Sequence, residues 1–268
     1  MTPEEAVHRH FQRFTPRQRL ARWTAMLVTV AAIVTSLRHV EIIPEFLYDA
    51  PEQLLDLLNR LWPPDLEYYP LEVHDALLET LHIATLGTVL ALFLALPVGL
   101  LAARNFTRNA ALNWLAKLIL VSSRSVNSLV WALLFVAVFG PGAMAGTLAI
   151  AFRSIGFVGK LFAEAVEETH VGPIEALHAT GAPGFSVLVK GYWPQVKPAF
   201  WSIALFRWDI NVRESAVLGL VGAGGIGFAL DAALNLFYWD RVATVLLSIF
   251  AVVIVAELVV TQIRKRII

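Results

Sequence analysis

A chain of 268 residues that is 57% hydrophobic and 16% charged, with a mean hydropathy of +0.66, is too apolar for an ordinary soluble domain and reads as a multi-span membrane protein. Its formal charge of zero removes a global field for nucleic acid. It has no cysteine, which excludes disulfides, thiol catalysis and cysteine-based metal centres.

Residues 1–22 form a polar segment that carries Arg9, Arg13, Arg17, Arg19 and Arg22. It lacks the short basic start and small-residue cleavage site of a signal peptide, so the first span is expected to remain as an anchor. That span is assigned to 23–43. Its apolar run, Trp23 to Leu37, is shorter than the roughly 20 residues a crossing takes and needs flanking residues to complete it. An external insert, 44–76, follows. The interval 38–76 holds nine acids and two arginines. Asp49-Ala50-Pro51 reads as a helix start, with Leu54, Leu55, Leu58, Leu61 and Trp62 on one apolar face, as in a helix lying at a membrane interface.

The core, 77–266, is expected to hold five more spans. The second span, about Leu77 to Ala103, spaces Gly87, Ala91, Ala95 and Gly99 four apart, a smooth stripe that lets another helix approach closely. Pro97 is expected to kink it. The third runs from about Leu118 to Phe139 and begins with the polar Arg124, Asn127 and Ser128. Gly140-Pro141-Gly142 is a tight turn, and the fourth span, Ala143 to Ala163, carries Arg153. The fifth, about Ala199 to Val221, contains Arg207, Asp209, Asn211, Arg213 and Glu214. The sixth, Val242 to Ile263, carries Glu257 and ends on Arg264-Lys265-Arg266.

Between the fourth and fifth spans lies a long polar interval, 164–198. Pro173 suits a first helical turn, and Gly181 falls where a helix end wants positive φ. A second short helix is predicted from Gly184 to Lys190, with Pro194 breaking the chain before the next span. With six spans, the intervals 1–22, 104–117, 164–198 and the C-terminus share one side, and three of the four are rich in Arg and Lys. The intervals 38–76, 140–142 and 222–241 are acidic or nearly uncharged. By the positive-inside rule both termini and the 164–198 loop are expected to be cytoplasmic.

Gly222-x-Gly224-x-x-Gly227 fits a dinucleotide fingerprint, but it follows a membrane span and not a strand, so Gly222, Gly224, Gly225 and Gly227 are read as a tight turn. Gly156-x-x-Gly159-Lys160 lacks the Ser or Thr and the spacing of a phosphate loop. The chain therefore has no recognisable ATP site of its own. The seven histidines are scattered and define no metal site, and no nucleophile–base set emerges.

Charges inside a span cost on the order of 2.5–3.5 kcal/mol at its centre. Arg124, Asn127, Ser128, Arg153, Arg207, Asn211, Arg213 and Glu214 are therefore the candidate translocation-path or gating residues. Two readings stand: internal pairing that fixes helix packing, or a path on which Arg124 and Arg207 offer donors to an anion. Asp209 and Arg213, at i and i+4, favour pairing.

Glu175-Ala176-Leu177, then Gly181, then Trp193-Pro194, resembles the cytoplasmic coupling loop of ABC-importer permeases, with Leu177 in place of that loop's second alanine. The runs Glu79–Thr88 and Asn211–Gly227, together with Trp62-Pro63-Pro64-Asp65, are similar to permeases of phosphonate-type importers. The resemblance implies an all-α integral membrane protein with about six transmembrane helices and the type I ABC importer permease fold. It implies a multi-pass protein of the bacterial cytoplasmic (inner) membrane that carries phosphonate, phosphite or phosphate. Glu175, Ala176, Leu177, Gly181 and Pro194 would couple it to the ATPase. Its partners would be a second permease subunit (the same chain or a sister), two ATPase subunits that hold the ATP and Mg, and an external binding protein. The competing reading is an ATP-independent secondary transporter or channel for a small anion, with gradient-driven flux through the intramembrane charges.

Overall fold

The computed structural model describes residues 14–40 and 44–267; Arg9, Arg13, His8, His10 and Glu41 lie outside them. The described residues are helical with short connections, and no strand occurs among them. They divide into two units, one up to Asp56 and one from Leu57 onward.

In the first unit, helix α1 spans Pro16–His39. Thr15 and Gln18 close its start reciprocally: the Gln18 N–H donates to Thr15 Oγ1 (3.4 Å) and the Thr15 N–H to Gln18 Oε1 (3.1 Å). Pro16 costs nothing at the first position. The helix is 24 residues long and apolar enough to cross a membrane, so flanking residues complete the short apolar run on its N-terminal side. Helix α2, Pro44–Leu61, runs across the boundary between the units and is strongly amphipathic. Its start differs from the sequence expectation. Pro51 lies inside the helix, one turn and more past Pro44, which fits the first turn equally well.

The second unit is a helical bundle. Helix α3, His74–Ala102, is entered through a π-turn, Tyr69–Val73. Gly87, Ala91, Ala95 and Gly99 are all buried. They face helix α6, Ala143–Glu167. A Cβ on Gly87 would stand 2.7 Å from Ile150 Cγ2, and one on Gly99 would stand 2.9 Å from the Gly159 carbonyl oxygen. The stripe thus does what its spacing predicts: it brings two backbones together where larger side chains would hold them apart.

The expected third span is two helices and not one. Helix α4 covers Ala110–Ser125 and helix α5 covers Ser128–Phe139, bent by 91° at the break. Val126 is extended, and the Asn127 side chain accepts from the Leu129 N–H, capping a new helix. Neither Pro nor Gly marks this corner; the Asn before an apolar run is the signal.

Helices α7 (Val171–Ala179) and α8 (Gly184–Val187) form the predicted helix–Gly–helix. Pro194 does not break the chain as expected. A π-turn over Leu188–Tyr192 leads directly into helix α9, Trp193–Leu218, and Pro194 sits in its first turn, where a missing N–H is harmless. Helices α10 (Ile226–Asn235) and α11 (Trp239–Ile267) complete the unit. Asp65, of the Trp-Pro-Pro-Asp run, fastens the start of α11. Its N–H donates to the Asp240 carbonyl, its carbonyl accepts from Thr244 Oγ1, and its carboxylate pairs with Arg241 at 3.5 Å. Four described helices are long and apolar enough to cross a membrane, and six spans result if each bent pair counts as one.

Candidate functional site

The first candidate site is the corner around α7. Its hidden side is set by Ile174, which is buried in a cluster with Val166, Val187, Tyr192 and Val196. Leu177 reaches Gly191, where a Cβ would stand 3.2 Å from its methyl. Gln195 clamps the entry: Oε1 accepts from the His170 N–H (2.9 Å), and Nε2 donates to the Gly191 carbonyl (2.8 Å). The helix is then stopped by a Schellman pair. The Ala182 N–H donates to the Leu177 carbonyl, and the Gly181 N–H to the His178 carbonyl. Gly181 has φ of 72°, which a side chain would strain.

The opposite side of this corner is open. Glu175, Ala176 and Gly181 are exposed, and Phe185 and Val171 add apolar surface at 77% and 59% exposure. Phe185, Val171 and Gln195 were not singled out from sequence, because an isolated apolar residue or glutamine in a polar stretch has no periodic signature. The corner is bonded to the ends of the long helices. The Arg104 N–H donates to Glu167 (2.8 Å), Asn105 Nδ2 to the Val166 carbonyl (2.6 Å), and the Tyr192 hydroxyl to the Asn105 carbonyl (3.4 Å). These bonds tie the loop after α3 to the end of α6 and to the π-turn before α9, beside α7.

The second candidate site lies where α3, α6 and α9 cross. Arg207 is only 3% exposed; its Nε donates to Ser154 Oγ (2.8 Å) and its Nη2 pairs with Glu214 (3.3 Å). Arg153 pairs with the other Glu214 oxygen at 3.4 Å. Ser154 donates to Asn211 Oδ1 (3.2 Å), Asn211 Nδ2 to Thr88 Oγ1 (2.7 Å), and Thr88 to the Ala84 carbonyl (2.6 Å). Residues 207, 211 and 214 share one face of α9, and from that face bonds reach α6 at Ser154 and, through Asn211, α3 at Thr88. Two arginines meet one glutamate here.

Beside this network a cavity of about 280 Å³ is lined by Asn127, Ser128, Arg153, Arg213 and Glu214. The structure thus brings together Asn127, Ser128, Arg153, Arg207, Asn211, Arg213 and Glu214. Arg213 is shared: its Nη2 pairs with Asp209 (2.8 Å), as its spacing predicts, and with Glu257 (3.5 Å). Arg124 stands apart, in a recess with Arg104, Lys117 and Lys160. Ser154 and Thr88 were missed because small hydroxyl residues are common in membrane helices and only the fold reveals their partners.

The glycine turn occupies the end of the unit away from α7. Gly222, Gly224 and Gly225 have φ of 80°, 80° and 76°. The Gly222 carbonyl accepts from the Gly142 N–H (2.9 Å), and Thr80 Oγ1 accepts from the Ile226 N–H (2.7 Å). Gly227 lies tight against Gly219 and Ala216. The turn borders a cavity of about 570 Å³ into which Glu72, Asp75 and Glu79 open.

Comparison with known proteins agrees with this architecture. The family described as the binding-protein-dependent transport system inner membrane component matches residues 95–268. The chain is 39% identical over 234 residues to the phosphate-import permease protein PhnE of Mycolicibacterium smegmatis, covering 87% of this chain and 44% of that longer relative. It is 39% identical over 210 residues to the phosphite transport system permease protein PtxC of Stutzerimonas stutzeri, covering 78% and 76% of the two chains. Among solved structures, the inward-facing MetNI methionine ABC transporter superposes with a TM-score of 0.66 at 22% identity, over 76% of this chain and all of that one. The fold is that of a type I ABC importer permease, and the chain belongs to the binding-protein-dependent transport system inner membrane component family.

Proposed function

We propose that this chain is the membrane permease subunit of an ATP-driven importer for a phosphorus oxyanion: phosphonate, phosphite or phosphate. The observation that carries the coupling part is the α7 corner, open on one side and bonded on the other to the ends of three long helices. The substrate class is supported by the names of the phosphate and phosphite permeases that the chain is similar to.

In this reading the α7 corner and both termini face the cytoplasm, where partner ATPases hold ATP and Mg. The exposed face around Glu175, Ala176 and Phe185 docks on an ATPase subunit, while Ile174 and Leu177 fix α7 to the core. Closure of the ATPase pair draws α7 toward its counterpart on a second permease subunit. The core then opens outward to receive the anion from an external binding protein. Hydrolysis returns it to the inward-facing state. Arg153 and Arg213 line the cavity and offer planar donor forks suited to two oxygens of a tetrahedral anion. Arg207 is committed to Ser154 and Glu214 and holds that wall in place. Each of these arginines also faces a carboxylate, Glu214 for Arg153 and Asp209 and Glu257 for Arg213, which works against the tight holding that would stop transport.

Tagged protein recovered gently from its host is expected to bring down a P-loop ATPase at about equal stoichiometry. Glu175→Lys should abolish ATP-dependent uptake of the anion while leaving the protein in the membrane. Uptake at the wild-type rate in that variant removes the coupling assignment. Anion flux through this chain alone in liposomes, driven by a gradient, replaces it with a secondary carrier.

A further inference from the structure

Helices α4 and α6 face each other along matching registers. Lys117, Leu120, Val121 and Arg124 lie at i, i+3, i+4 and i+7 of α4, and Lys160, Ala163, Glu164 and Glu167 lie at the same spacing on α6. With Ala102 and Arg104 they enclose a recess of about 290 Å³ that begins at the α7 end of the bundle. Its four cations meet two carboxylates. Both carboxylates are engaged: Glu164 pairs with Lys160 (3.3 Å), and Glu167 accepts from the Arg104 backbone. The side chains of Arg104, Lys117 and Arg124 make no ion pair with another described residue. Like charges gathered in one recess repel unless an anion joins them.

The walls say which anion. Ala102, Leu120, Val121 and Ala163 are apolar, which suits a ligand with a greasy part behind its charge. The outer face of α4 continues that surface with exposed Leu115, Leu118 and Ile119, and Trp114 stands 65% exposed one turn before Lys117, as an interfacial aromatic does. Basic recesses between membrane helices on the positive side hold acidic headgroups. We propose that this recess seats the phosphate of an anionic phospholipid, with Lys117 and Arg124 as its principal contacts and Arg104 at its mouth. The assignment does not depend on which solute the protein carries.

The test uses purified full-length protein in neutral detergent, with bound lipid counted by native mass spectrometry. Phosphatidylglycerol should be retained and phosphatidylcholine lost. The Lys117→Gln/Arg124→Gln double variant should weaken phosphatidylglycerol binding by about ten- to thirty-fold, while Lys117→Arg/Arg124→Lys retains it. Thermal unfolding checks that the double variant is folded; if it is not, Arg104→Gln, outside the helices, is read in its place and should weaken binding several-fold. Equal retention of the two lipids, or undiminished binding in the glutamine variant, overturns the proposal. Displacement of phosphatidylglycerol by inorganic phosphate or methylphosphonate also overturns it and assigns the recess to the transported anion.

Discussion

Arg207 and Ser154 sit in the same buried network but carry very different weight. Removing the Ser154 hydroxyl deletes two bonds between helices, one accepted from Arg207 Nε and one donated to Asn211, and interhelical bonds average about 0.6 kcal/mol each in membrane bundles with a maximum near 1.7. Removing the Arg207 guanidinium deletes both its bond to Ser154 and its pair with Glu214, which keeps Arg153; bonds to charged groups are worth about 1.5–3 kcal/mol each. Arg207→Leu should therefore lower the midpoint of denaturant unfolding in detergent more than Ser154→Ala. Similar small effects for both would mean that water already reaches Glu214. The face shared by Arg207, Asn211 and Glu214 could be read from spacing, and so could the Asp209–Arg213 pair. Their partners could not, because Ser154 and Thr88 acquire meaning only when α6 and α3 are placed beside α9.

At the scale of elements, packing is decided where side chains are missing. The α3 stripe was legible because a run of small residues at one spacing has few other uses in a membrane helix. Gly99→Leu puts a branched side chain against the Gly159 carbonyl, which is backbone and cannot turn aside. A loss of about 1–3 kcal/mol or more is expected, seen as a lower unfolding midpoint and poor yield. Gly172→Ala is the control, since a Cβ there meets nothing within 4 Å; its effect on stability should stay below about 1 kcal/mol. The 91° corner between α4 and α5 was not legible as a break, because a hydropathy window averages across it and only Asn127 signals a cap. The continuity of α9 through Pro194 was equally hidden, since a proline that ends one helix and a proline that opens the next look alike in sequence.

Across the second unit, the connections sort to two ends. The loops after α3 and α6 meet the α7 corner through Glu167, Asn105 and Tyr192. The Gly142 and Gly222 turns meet each other at the far end. The absence of cysteine makes this sidedness directly measurable. A single cysteine at Ala176 should react with an impermeant maleimide only from the cytoplasmic side, and one at Leu236, in the exposed connection before α11, only from outside. Labelling of both positions from the same side would overturn the six-span topology. The network at the crossing of α3, α6 and α9 has a mechanical consequence for anything that passes between these ends. To slide one helix past another by a turn, about 5.4 Å, would break the Ser154, Asn211 and Thr88 bonds together in a place with no solvent to replace them. In the mechanism proposed above, these bonds would hold α3, α6 and α9 in one register, so that the three helices tilt together as one body.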